Sequence, residues 1–99
     1  MKRYIIERDI PGAGERGVAQ IREAARRSNA ALAQLAPKIQ WEHSYSTGNK
    51  VFCIYLAEDP SWIEKHSELC GAPITSIREV TRVTDPTSAL RRTAPKKKG

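Results

Sequence analysis

The sequence predicts an α+β fold in the element order β-α-β-β-α-β, with one four-stranded antiparallel sheet and both helices on a single face of it. Three observations carry this expectation. Two runs rich in aromatic and β-branched residues, Ile39–Ser46 and Lys50–Ala57, flank a Gly48-Asn49 pair. A helix-period stripe precedes them, and a short segment with clear helix start and stop signals follows. Two halves in this order pack as the ferredoxin-like arrangement, because right-handed crossovers leave few other ways to assemble them.

The first strand is expected over residues 2–8, with Tyr4 and Ile6 on one face and Ile5 and Glu7 on the other. Pro11-Gly12-Ala13-Gly14 then breaks the pattern. A glycine pair before a helix invites a phosphate-loop interpretation, but the Gly, Lys and Ser/Thr that such a loop requires do not follow. From Glu15 to Ala36, Val18, Ile21, Ala25, Ser28, Leu32 and Leu35 recur at spacings of three and four, which is one stripe of an amphipathic helix. Arg22, Glu23, Arg26, Asn29 and Gln34 fall outside the stripe, and Pro37 stops the helix.

In the central hairpin, Gly48-Asn49 readily supplies the positive φ angles of a tight turn. Its register has two solutions. A two-residue loop puts His43 opposite Ile54 and Ser44 opposite Cys53. One more loop residue puts His43 opposite Cys53 and Trp41 opposite Tyr55, gathering all four on one face. Next, Asp59-Pro60-Ser61 is a helix start, an acidic N-cap followed by proline where no amide bond is lost. Trp62, Ile63, His66, Leu69 and Cys70 form one broad face of that helix, and Gly71 ends it. Ile74–Val83 is the last expected strand, closed by Asp85-Pro86.

At 99 residues the chain is one small domain. Its net charge of +6 is unevenly placed: five of the 17 basic residues lie in 91–98, and the other 12 face 11 acids, a net of +1. Residues 1–86 are therefore the expected folded domain, and 87–99 a basic, disordered tail that touches phosphates only non-specifically. Neither a specific nucleic acid nor a membrane is an expected partner, since no apolar run approaches the roughly 20 residues of a span. The first residues lack a secretory signal, and a cytoplasmic location is the default. Cys53 and Cys70 lack the short spacing of a zinc or redox motif, and both read as reduced thiols.

Two helices shield one side of a sheet, so the other side is an apolar patch unless a second subunit covers it. A homodimer packed sheet to sheet about a twofold axis, a dimeric α/β-barrel-like assembly, is the expected form.

The string His43-Ser44-Tyr45, Val51-Phe52-Cys53-Ile54-Tyr55-Leu56-Ala57, His66, Gly71-Ala72-Pro73 and Val80 resembles a family of small bacterial ferredoxin-like proteins catalogued as a domain of unknown function. That family includes a dimeric nickel-binding protein. The likeness runs over most of residues 3–83. It implies His43 and His66 as metal ligands, and a packing role for Cys53. Where metal-binding relatives carry histidine or acid in the first strand, this chain has Glu7-Arg8-Asp9, so Glu7 and Asp9 become the oxygen ligands, with Glu42 as a further donor.

Imidazole suits Ni(II), Cu(II) and Zn(II), and carboxylates complete such sites. A twofold axis doubles the two histidines of each chain. The plain alternatives are a strand histidine hydrogen-bonded within the sheet for His43, and a helix residue packed beside Trp62 and Ile63 for His66. The leading expectation is non-enzymatic binding of a divalent transition metal, Ni2+ by resemblance. The rival class is a cofactor-independent monooxygenase or other small-molecule enzyme of the dimeric α+β barrel type, which requires an apolar cavity with His43 or Tyr45 reaching into it. An interaction module using the basic tail is the third.

Overall fold

The computed structural model describes residues 1–90. The elements are β1 (Lys2–Asp9), a 3-10 turn (Ala13–Glu15), α1 (Val18–Leu35), β2 (Ile39–Ser46), β3 (Lys50–Ala57), α2 (Pro60–Cys70), β4 (Ser76–Glu79) and a second 3-10 turn (Pro86–Ala89). The strands pair antiparallel in the spatial order β2-β3-β1-β4, as a ferredoxin-like α+β fold requires. Strand β3 shows why this sheet has two characters. Val51, Cys53, Tyr55 and Ala57 are buried, while the alternate Phe52, Ile54 and Leu56 are only half-buried. Period-two alternation sends the first set toward the helices and the second to the uncovered face. Tyr4, Ile6 and Ile39 join the buried set from the flanking strands, and Ile63 seals it from α2.

Both hairpin registers occur in one hairpin. His43 is opposite Ile54 and Ser44 opposite Cys53, whereas Trp41 is opposite Tyr55, with the shift at a bulge between Trp41 and His43. The extra residue, Glu42, changes the parity of the strand. Trp41 and Ser44 therefore share the helix side, where Trp41 Nε1 donates to Ser44 Oγ at 2.9 Å. His43 and Tyr45 are left on the open side, so Trp41, His43, Cys53 and Tyr55 do not gather on one face. The turn itself departs from the expected geometry, since Gly48 is not at positive φ. It is held instead by the segment after β1: Ile10 N donates to Asn49 O at 3.0 Å and Gly14 N to Gly48 O at 3.1 Å. Gly14 is needed there because a Cβ would come within 2.5 Å of the Thr47 carbonyl oxygen.

Helix α1 begins at Val18 and not Glu15. Gly17 is still extended at φ −79° and ψ 171°, and its amide is capped by Gln20 Oε1 at 2.9 Å. Of the expected stripe, Leu32 and Leu35 pack against the core cluster, beside a buried Ala31 that the stripe did not include, while Val18 and Ile21 are 72% and 48% exposed. In α2, Asp59 Oδ1 accepts from Ser61 N at 2.8 Å and Gly71 closes the helix at φ 74°. Its buried face is Ile63, His66 and Ser67, and Leu69 is out in solvent. Strand β4 is shorter than Ile74–Val83. Hydrogen bonds from Thr75 N to Glu7 O and from Val80 N to Arg3 O bracket its pairing with β1. Beyond Val80, β1 has almost run out, and Thr81–Val83 have no strand to pair with among the described residues. Asp85 caps the last 3-10 turn. From residue 91 onward, the basic tail lies outside the described residues.

Candidate functional site

The five sequence-predicted ligand residues are divided by the sheet. Glu7 and Asp9 alternate with the buried Tyr4, Ile6 and Arg8 along β1, which places them on the open face. His43 is on that face too, exposed, with Nε2 3.1 Å from the Tyr45 hydroxyl and the two rings edge to face at 5.0 Å. Glu42 meets Arg3 across β3 in a two-pronged ion pair at 2.8 and 3.0 Å. The Arg3 guanidinium thereby holds the Glu42 carboxyl below its ordinary range, by hydrogen bond first and charge second.

Glu7 and Asp9 converge on one ammonium group, with Lys50 Nζ 2.7 Å from Glu7 Oε2 and also bonded to Asp9 Oδ1. Asp9 is held low by this hydrogen bond, and Lys50 is raised by its bonds to both acids. In a single chain a lysine thus takes the position that a metal would need. Among the described residues no three His, Cys, Asp or Glu side chains converge as a metal site. His43 is two strands from β1, roughly 10 Å at the usual strand spacing. One chain therefore presents separate donors and no completed ligand set.

His66 belongs to the other side. It is 1% exposed, with its ring 5.2 Å from that of Tyr55 and Nε2 3.1 Å from Ser28 Oγ on α1. Its Nδ1 is buried without a hydrogen-bond partner. Burial, and then the nearby Arg8 guanidinium, lower its pKa to about 4, so the imidazole is neutral at pH 7. His66 and the open-face donors are therefore not brought together within one chain.

Beside His66 lies a cavity of about 430 Å³ under the two helices. It exists because the N-terminal half of α1 stands off the sheet, leaving Ile21 and Ala25 as lining where a packed helix would have buried them. Its floor holds Arg8, Cys53 and Tyr55. Arg8 is 3% exposed; its Nη1 donates to Ser67 Oγ and to the Pro73 carbonyl, both at 2.9 Å, and Nη2 donates to the Tyr55 hydroxyl at 3.4 Å. Burial above all, with the Cys53 thiol adding to it, pushes the Tyr55 phenol up to about 12. The sequence singles out Glu7 and Asp9 on either side of Arg8, and not Arg8 itself. Its position two residues after Ile6 was the signal that it points inward. His43 and Tyr45, the residues an enzyme of the rival class would send into the cavity, stand on the opposite face.

No helix among the described residues is long and apolar enough to cross a membrane. Fold and site together define a small ferredoxin-like α+β protein with one bare sheet face and a cavity beneath its helices. The profile of the family described as "Nickel responsive protein SCO4226-like" matches residues 4–80, and the chain belongs to that family. The crystal structure of SCO4226 from Streptomyces coelicolor A3(2) aligns with a TM-score of 0.70 at 13% identity, covering 83% of this chain and 99% of that one. That likeness shows the shared fold. No curated protein matches the sequence.

Proposed function

We propose that the protein binds a divalent transition metal, nickel by its family, on the open face of the sheet, and that two copies packed face to face complete the ligand set. The observation that supports this is the placement of His43, Glu7, Asp9 and Glu42 on the one sheet face that neither helix covers, around the apolar residues Ile5, Phe52, Ile54 and Leu56. A twofold axis through that face brings a second set of the same donors, so that imidazole and carboxylate come from both copies. His43 is the nitrogen donor of this proposal. Lys50 and Arg3 compete with the metal for the carboxylates.

Calorimetric titration of the metal-free protein with Ni(II), alongside sedimentation velocity, tests it. Wild-type protein should sediment as a dimer and bind Ni(II), His43→Ala should lose at least about tenfold in affinity, and Ile54→Glu should give a folded monomer with the same loss. Wild-type affinity in His43→Ala, or a monomeric wild type, would remove this function.

A further inference from the structure

We propose that the cavity under the helices is a binding site for a small organic carboxylate with an apolar body, whose head group meets Arg8 and His66. The site is on the opposite side of the sheet from the metal donors and does not rest on them.

The argument begins with an uncompensated charge. A guanidinium stays protonated at any ordinary pH, and burying it is costly unless an anion is paired with it. Arg8 is almost wholly buried, yet its hydrogen-bond partners are a serine hydroxyl, a carbonyl and a phenol, all neutral. No carboxylate pairs with it among the described residues. The cavity that Arg8 lines has no aspartate or glutamate in its wall, while Arg16 and Arg27 add two further cations. Both hydrogens of Nη1 are in use, but among the described residues Nη2 has the long contact with Tyr55 as its hydrogen bond, with the Cys53 thiol nearby, so the guanidinium retains donor capacity for a stronger acceptor.

A second group points the same way. His66 Nδ1 is buried and has no partner among the described residues. Arg8 and His66 both lie against the ring of Tyr55, at 6.0 Å and 5.2 Å from its centroid. In the tautomer whose Nε2 accepts from Ser28 Oγ, Nδ1 carries the ring hydrogen and is a donor for an anion held by Arg8. An anionic head there would satisfy the two outstanding features of the interior together, the unpaired charge and the unpaired nitrogen.

The buried charge favours a carboxylate head. Arg16 is only half-buried and Arg27 is exposed, so water solvates both, and the charge that lacks compensation is the single one on Arg8 beside a neutral imidazole. Much of the remaining wall, including Ile10, Ile21, Ala25, Trp41 and Val51, is apolar and suits a hydrocarbon or aromatic body. The volume is that of an ordinary small-molecule pocket.

Calorimetry with naphthalene-2-carboxylate and its neutral isostere naphthalene-2-carboxamide, with inorganic phosphate as competitor, tests the proposal. Wild-type protein should bind the carboxylate at least about tenfold more tightly than the carboxamide. Arg8→Gln should abolish that preference. Ala25→Phe keeps Arg8 and fills the cavity, so it should lose both ligands while remaining folded by circular dichroism, and it tests the site even if Arg8→Gln does not fold. Equal affinity of the wild type for the two naphthalenes, absence of carboxylate binding, or unchanged binding in Ala25→Phe would each overturn the site. Displacement of the carboxylate by equimolar phosphate would overturn the choice of head group.

Discussion

Ser28 Oγ lies 3.1 Å from His66 Nε2, and this hydrogen bond joins α1 to α2 directly over the cavity. Among the described residues it is the one side-chain hydrogen bond of His66, whose Nδ1 has none. Ser28→Ala should therefore remove the side-chain partner of a buried ring, at a loss of about 1–3 kcal/mol. Thermal denaturation should show Tm lower by roughly 4–8 °C for each kcal/mol. An unchanged Tm would mean that water or a rotated ring replaces the serine.

The same histidine should set how the protein responds to mild acid. Burial and Arg8 lower its folded pKa to about 4 from 6.5. The unfolded chain takes up a proton that the folded chain refuses, so stability is complete above pH 6.5 and falls as pH drops toward 4. The slope is roughly 1.4 kcal/mol per pH unit, or about 2 kcal/mol between pH 7 and pH 5. The lowered carboxyls of Asp9 and Glu42 also stabilise the fold, but their contributions fade only below their ordinary values of 3.8 and 4.5. Urea denaturation at pH 7 and pH 5 should show the loss in wild type, and a much smaller one in His66→Gln.

Gly14→Ala should destabilise the hairpin tip. Its new Cβ would meet the Thr47 carbonyl oxygen at 2.5 Å and the carbonyl carbon at 3.0 Å, and both are backbone atoms that no rotamer change can move. The loss should be about 1–3 kcal/mol, read from a chemical denaturation curve. Gly17→Ala serves as control, because a Cβ there meets nothing within 4 Å.

Lys50→Gln should tighten nickel binding. With the ammonium gone, Glu7 and Asp9 lose the cation on which they converge and are left to the metal. Removing one competing charge should raise the Ni(II) affinity about three- to tenfold by calorimetry. A weaker affinity in Lys50→Gln would mean that the lysine positions the acids and does not compete for them.

Strand β3 and both ends of α2 are legible in the residues because their causes are local. Alternation in Lys50–Ala57, the Asp59-Pro60 start and the Gly71 stop each act over a few positions, and each element forms where those signals stand. Val18 and Ile21 misled for the converse reason. Their spacing predicts a buried stripe, but whether a helix rests on a sheet along its whole length depends on what lies between them, here the cavity. Leu69 yielded its place to Ser67 because Ser67 bonds the inward guanidinium of Arg8, a contact between residues 59 positions apart.

From the amino-acid order alone came the element sequence, the antiparallel sheet with one covered side, and the imidazoles and carboxylates proposed as metal donors, since propensity, period and residue chemistry are properties of short stretches. The tertiary structure alone decided which side of the sheet each of those side chains occupies. The bulge at Glu42 turns His43 outward beside Tyr45, the packing of α2 turns His66 inward onto Tyr55, and Arg8 is buried beneath the helices. The physical reason is that one extra residue in a strand inverts every side chain beyond it, and only the paired sheet shows where that residue falls.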